Sequence, residues 1–157
     1  MKKVQENEKN VISKDLIFLD QEFTNQDEVI QFIVENAEFL DYVLDASDLF
    51  QAVKNREKEI PTAIGYDIAI PHGKTETVKH PFIAFLRTNE AFQWTRENEE
   101  KVRLVFLIGV PKESEGKLHL KFISQLSKKL LNEEFREKLL TQTDKTQIYE
   151  QLNAIEV

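Results

Sequence analysis

An imidazole stands between an apolar run and a glycine in Ala69-Ile70-Pro71-His72-Gly73, one of only three histidines in the chain. With an unperturbed pKa of about 6.5, it is mostly neutral and nucleophilic near pH 7. Pro71 restricts the backbone on one side. Gly73 permits a tight turn on the other and lets a phosphate approach the main chain. Upstream, Arg56 offers a guanidinium, which binds phosphate through two parallel hydrogen bonds. Downstream, His119 offers a second imidazole. Together these three residue types could carry out phosphoryl transfer. Each also has an ordinary alternative: a loop histidine at 72, a structural salt bridge at 56, and a core histidine bonded to a carbonyl at 119.

The elements that must position them follow from periodicity. Leu49, Val53 and Arg56 fall at i, i+4 and i+7, so Arg56 is predicted to continue the buried stripe of a helix beginning at Asp45 or Ser47. Lys54, Glu57 and Lys58 are predicted on its other faces. His119, Phe122, Ile123 and Leu126 share one helical face, with His119 in the first turn after Gly116, where free N–H groups favour anions. Residues 68–70 read as a brief strand stopped by Pro71. The apolar runs 16–19, 82–86 and 102–108 read as buried strands, with a short edge strand at 91–94 and a loop over 109–116 that contains Pro111. Asn25 with Glu28 predicts a helix start, followed by Val29, Ile30, Ile33, Val34 and Ala37 at helical spacing. Phe122 and Leu130, then Phe135, Leu139 and Leu140, then Ile148 and Leu152 predict three further helices. The fold class expected is an α/β sandwich with helices on both sheet faces. His80 precedes Pro81 and is given no role.

Composition sets bounds. The chain has 157 residues, of which 41% are hydrophobic, enough for one domain with a real core. Residues 1–14 read as a loose polar lead-in and 15–157 as the domain. A net charge of −7, from 28 acidic and 21 basic residues, argues against a nucleic-acid partner. A local arginine still outweighs that diffuse charge, since a unit pair at ~4 Å is worth about 4 kcal/mol at an effective dielectric of 20. The absence of cysteine removes disulfides, thiolate nucleophiles and cysteine zinc sites. His72 and His119 lack a third ligand at metal-site spacing, so neither metal nor cofactor is expected. Nothing resembles a signal peptide or a membrane span, and a cytoplasmic location is expected.

Taken together, these segments resemble the enzyme IIA domain of the bacterial phosphoenolpyruvate-dependent sugar phosphotransferase system, fructose–mannitol type. The matching residues are Arg56-Glu57, Pro61-Thr62-Ala63-Ile64-Gly65, Ile68-Ala69-Ile70-Pro71-His72-Gly73-Lys74, the run 102–110, Gly116-Lys117-Leu118-His119-Leu120 and Leu126-Ser127-Lys128-Lys129-Leu130. The resemblance covers residues 14–153. It implies a mixed sheet flanked by helices. It also implies that His72 accepts a phosphoryl group from the carrier protein HPr and passes it to a cysteine of a separate enzyme IIB, with an indirect link to the membrane permease IIC. Arg56 and His119 would flank the phosphorylated ring. The motifs look slightly more fructose-like than mannitol-like. Regulatory relatives, whose phosphorylation state controls partner binding, look much the same. Two residues depart from the family pattern: Asp67 stands where glycine is common, and Pro61 replaces a smaller or polar residue.

Overall fold

A computed structural model describes residues 10–97, 99–113 and 117–155, with the backbone alone at 118. The start of the polar lead-in (1–9) and Gly116 lie outside the described residues. The order of elements is β1 (Ile12–Gln21), α1 (Gln26–Phe39), α2 (Ala46–Glu59), β2 (Ala63–Gly65), β3 (Ile68–Ala69), β4 (His72–Thr75), β5 (Phe82–Gln93), β6 (Lys101–Pro111), α3 (Leu118–Lys129), α4 (Glu133–Thr141) and α5 (Lys145–Asn153).

The helix starts are those their capping residues dictate. Asn25 accepts from Glu28 N–H at 2.8 Å, while Glu28 Oε1 accepts from Thr24 N–H at 3.4 Å. Asp45 caps α2 through Asp48 N–H at 3.3 Å, and Asn132 caps α4 through Phe135 N–H at 2.9 Å. Each cap satisfies a donor the helix itself leaves unpaired.

The sheet runs β1-β5-β6-β3-β2, with β4 also on β6. β5 and β6 are antiparallel; β1 is parallel to β5, and β3 and β4 are parallel to β6. The sheet is therefore mixed. β5 and β6 are paired on both edges, and their sequences are correspondingly almost wholly apolar. Period-two alternation sends Ala84, Leu86 and Leu107 to the layer of α1 and α2, and Ile83, Phe85, Phe106 and Ile108 to the layer of α3, α4 and α5. Helices thus cover both faces, as expected. Among the described residues no helix is long and apolar enough to cross a membrane.

Several local expectations change. β1 begins at Ile12, inside the segment 1–14 read as a loose polar lead-in, because Ile12 is buried and pairs with Ile83. Residues 91–93 do not form a separate edge strand: they continue β5, with a register shift between Arg87 and Phe92 and with Phe92 paired to Val102. β6 extends through Gly109 and Pro111 instead of turning into a loop there. β3 ends before Pro71, as expected, but a further strand, β4, follows directly after it. Pro71 lacks the N–H that would carry the ladder, but pairing with β6 resumes at His72.

Gly109 sits opposite Phe82, and a Cβ there would lie 2.3 Å from the Phe82 ring. Phe82 is fully buried between packed neighbours and has no open space to retreat into. Gly109→Ala is therefore expected to destabilise the fold by about 2–3 kcal/mol, read as a lower urea midpoint. An unchanged midpoint would show that the β5–β6 ladder yields.

Candidate functional site

His72 is the first residue of β4 and pairs with Ile108. Ile108 N–H donates to Pro71 O at 3.0 Å, so the backbone beside the imidazole is tied to the central strand. The ring is half-buried, and its Nδ1 lies 3.0 Å from Ile70 O. A carbonyl can only accept, so Nδ1 carries the proton in a neutral ring, and Nε2 keeps the lone pair.

Gly73 has a different task from the one its sequence context suggests. It lies in a strand, not a turn, and a Cβ there would meet Val53 Cγ2 at 2.9 Å, Val53 N at 3.1 Å and Leu49 Cδ1 at 3.2 Å. Its missing side chain lets β4 press against α2. Since Gly73 faces α2, strand alternation turns His72 and Lys74 toward the other layer. There α3 presents His119 in its first turn. The two imidazole centroids are 5.3 Å apart with a 36° interplanar angle. His119 Nδ1 is buried and has no hydrogen-bond partner among the described residues.

Arg56 does not complete the buried stripe of α2. That stripe is Ala46, Leu49, Val53 and Glu57; Arg56 is half-buried at its flank and donates from Nη1 to Ile60 O at 2.9 Å. The physical reason is the supply of donors. Glu57 accepts from Thr62 N–H at 3.1 Å, from the Thr62 hydroxyl and from Trp94 Nε1 at 3.0 Å. Those bonds make a buried carboxylate tolerable, which an unpaired one would not be. Charge patterning alone puts Glu57 in a solvated run; the signal that could have found it is its i+4 spacing from Val53 together with the downstream Thr62 and Trp94.

The loop ahead of His72 turns on Gly65, Tyr66 and Asp67, all with positive φ, at 93°, 57° and 63°. Asp67 adopts the left-handed conformation that glycine would supply more cheaply. Its carbonyl accepts from Arg103 N–H at 2.8 Å and Leu104 N–H at 2.9 Å, which fastens the loop to β6.

The electrostatics favour neutral rings. Burial pushes the His72 pKa below its ordinary value; the Ile70 carbonyl opposes this, and the Arg56 charge adds to it. Burial also lowers the His119 pKa, helped by His72, Lys74 and Arg56. The structure thus gathers His72, His119, Arg56 and Lys74 within electrostatic reach of one another. Lys74 stood in the matching motif without a role. A ring that burial favours as uncharged, with a guanidinium and an ammonium within electrostatic reach, is an arrangement able to take on anionic phosphoryl oxygens.

Residues 10–155 match the family model described as phosphoenolpyruvate-dependent sugar phosphotransferase system, EIIA 2. The chain belongs to this EIIA family. It is 33% identical over 138 residues to the fructose-specific EIIA component of Haloferax volcanii, covering 88% of this EIIA chain and 89% of that one. It is 32% identical over 140 residues to the multiphosphoryl transfer protein of Shigella flexneri, where it spans 17% of the relative's length. Among solved structures it is similar to the nitrogen regulatory protein IIA-Ntr of Neisseria meningitidis, with a TM-score of 0.81, 29% identity and coverage of 90% and 96% of the two chains. It is also similar to enzyme IIA mannitol of Escherichia coli in its complex with phosphorylated enzyme IIB mannitol, with a TM-score of 0.75, 27% identity and coverage of 90% and 96%. The α/β fold and the phosphotransfer family of this EIIA chain are thereby shown.

The lowered histidine pKa values carry a stability consequence. The native state binds fewer protons than the unfolded chain once pH falls through the unfolded value of about 6.5, so stability falls with pH there and the loss levels off below the native pKa values. Urea midpoints measured between pH 7.5 and 5 are expected to fall less in the His72→Gln/His119→Gln double variant than in the parent. Parallel pH curves would refute the depressed values.

Proposed function

We propose that this EIIA protein is a cytoplasmic phosphocarrier. His72 Nε2 attacks the phosphorus of the phosphohistidine on HPr, and the donor P–N bond breaks with its electron pair returning to the donor imidazole. The cysteine thiolate of a separate enzyme IIB then attacks the same phosphorus, and the His72 P–N bond breaks in turn. The Ile70 carbonyl holds Nδ1–H throughout. The transition state of each step is loose, so the task of the protein is to position groups and stabilise equatorial oxygens. Arg56 supplies fixed charge, and His119 supplies a hydrogen bond. Sugar uptake through the IIC permease is the process served, with fructose favoured by the likeness to the Haloferax component.

The observation that carries this reading is the 5.3 Å approach of two imidazoles, one with its Nδ1 occupied by a backbone carbonyl. Of the exposed apolar side chains, Ile60 directly follows the helix that bears Arg56, Ile64 lies on β2, and Leu120 is next to His119 on α3. They supply a rim against which protein partners can dock. The likeness to a nitrogen regulatory protein favours a second reading, in which phosphorylation of His72 switches partner binding. The fate of the phosphate separates the two readings. Rapid loss to a IIB cysteine marks a carrier; a long-lived phosphoprotein with altered partners marks a regulator.

With phosphorylated HPr as donor, His72→Ala is expected to take up no acid-labile phosphate. Arg56→Ala and His119→Ala are expected to slow transfer by about 10²-fold, as for other lost transition-state donors. Labelled His72→Ala, or wild-type rates in the other two, would overturn these roles. Phosphorylation should also raise the His119 pKa, because it places a dianion beside that ring; an unmoved NMR titration would remove His119 from the phosphoryl group.

A further inference from the structure

We propose that Glu57 is a positioning residue for the phosphoryl transfer, acting through Thr62 and Ile70 on the tautomer of His72. This rests on the reading of His72 as the nucleophile. The geometry is a continuous series of hydrogen bonds. Trp94 Nε1 donates to Glu57 Oε2 at 3.0 Å, and Thr62 donates to the same carboxylate through both its N–H, at 3.1 Å, and its hydroxyl. Thr62 O accepts from Ile70 N–H at 3.1 Å. Ile70 O in turn lies 3.0 Å from His72 Nδ1.

Each link matters because alternatives are few. The peptide after Ile70 leads into Pro71 and has no N–H, so the Ile70 carbonyl cannot be held by a bond on its own peptide's nitrogen. Among the described residues two flanking backbone bonds set its direction: Ile70 N–H to Thr62 O, and Ile108 N–H to Pro71 O at 3.0 Å. The second is fixed by the central strand. The first depends on where Thr62 sits, and Thr62 is clamped by Glu57. Both Glu57, 5% exposed, and Thr62, 7% exposed, are shielded from water that could replace these bonds.

Glu57 also follows Arg56 in the last turn of α2. One buried carboxylate therefore ties the helix that carries the guanidinium to the segment that carries the acceptor of the imidazole proton. If Thr62 slips, the Ile70 carbonyl leaves Nδ1 and the proton is free to move to Nε2, which removes the lone pair that must attack. A residue that merely stabilised the fold would have no such effect on the ring.

The test pairs Glu57→Gln with Thr62→Val, and uses Thr62→Ser as the conservative control. The readouts are the ¹⁵N shifts of the His72 ring, which report the tautomer of folded protein before any phosphate is added, and the rate of phosphate uptake from phosphorylated HPr per folded molecule. Glu57→Gln and Thr62→Val are expected to move a substantial fraction of His72 to the Nε2–H tautomer and to slow uptake at least 5-fold, with Thr62→Ser near the parent in both. A parent-like Nδ1–H tautomer and parent-like uptake in folded Glu57→Gln would overturn the proposal. If Glu57→Gln does not fold, the same two outcomes in Thr62→Val decide it. Failure of the parent itself to be phosphorylated on His72 would instead sink the reading of His72, whatever its tautomer.

Discussion

The 3.0 Å bond from Ile108 N–H to Pro71 O fastens the reactive segment to the sheet. Proline costs a strand one ladder donor, and a chain that loses pairing at such a point usually leaves the sheet. Here β6 is long enough to take up pairing on both sides of the gap, with Ile68 and Ala69 before it and His72 to Thr75 after it. β6 is also locked along its other edge by β5. His72 thus stands on a backbone whose position is set by the best-buried part of the molecule, while its ring reaches the margin of the sheet. The phosphocarrier role proposed for His72 requires that combination of fixed backbone and reachable side chain.

From that placement the division of labour between layers follows. Arg56 belongs to α2, whose apolar side chains pack in one half of the core, and His119 belongs to α3, whose side chains pack in the other. Only the sheet touches both halves. A group on the sheet margin can therefore be flanked by residues from opposite layers without either helix leaving its own core. Gly73 makes the approach of α2 close enough, since a Cβ there would crowd Val53 Cγ2 at 2.9 Å and the Val53 nitrogen at 3.1 Å. The imidazole pair, at 5.3 Å, shows how close α3 comes from the other side.

Much of this was legible in the sequence where a physical rule acts locally. Capping residues predict the starts of α1 and α2, and continuous apolar runs predict β5 and β6 as doubly covered strands. Apolar spacing predicts the faces of α3, α4 and α5. What was not legible depends on partners far along the chain. Glu57 reads as part of a charged, solvated run until Thr62 and Trp94 are brought to it, and only then does a buried carboxylate become tolerable. By the same measure Arg56 reads as one step too deep, because i+3 and i+4 from Val53 differ little on a helical wheel and the choice between them is made by tertiary donors. Gly73 reads as room for a ligand, when the room is taken by α2. The continuation of β5 past Arg87 is hidden by the polar residues 88–90, of which Asn89 and Glu90 are exposed, where the register shifts.

The charge of the chain and the charge at the site have opposite signs, and the two act at different ranges. The net −7 is spread over a surface where separations beyond about 8 Å are screened at physiological salt. Arg56, itself half-buried, acts on both imidazoles, and the exposed Lys74 acts on His119. Burial first, and these charges second, press both pKa values down and so favour the neutral ring with its free lone pair. In the proposed phosphorylated state the same two cations would gain stabilisation from the phosphoryl oxygens. Adding charge thus improves the local balance at this site, whereas burial alone would oppose it. The more deeply the histidines were buried, the better they would be as neutral nucleophiles and the worse as hosts for a dianion. A half-buried ring beside a guanidinium that is itself half-buried lies between those limits, and that intermediate depth is what a group must have if it is to accept a phosphoryl group from one protein and yield it to the next.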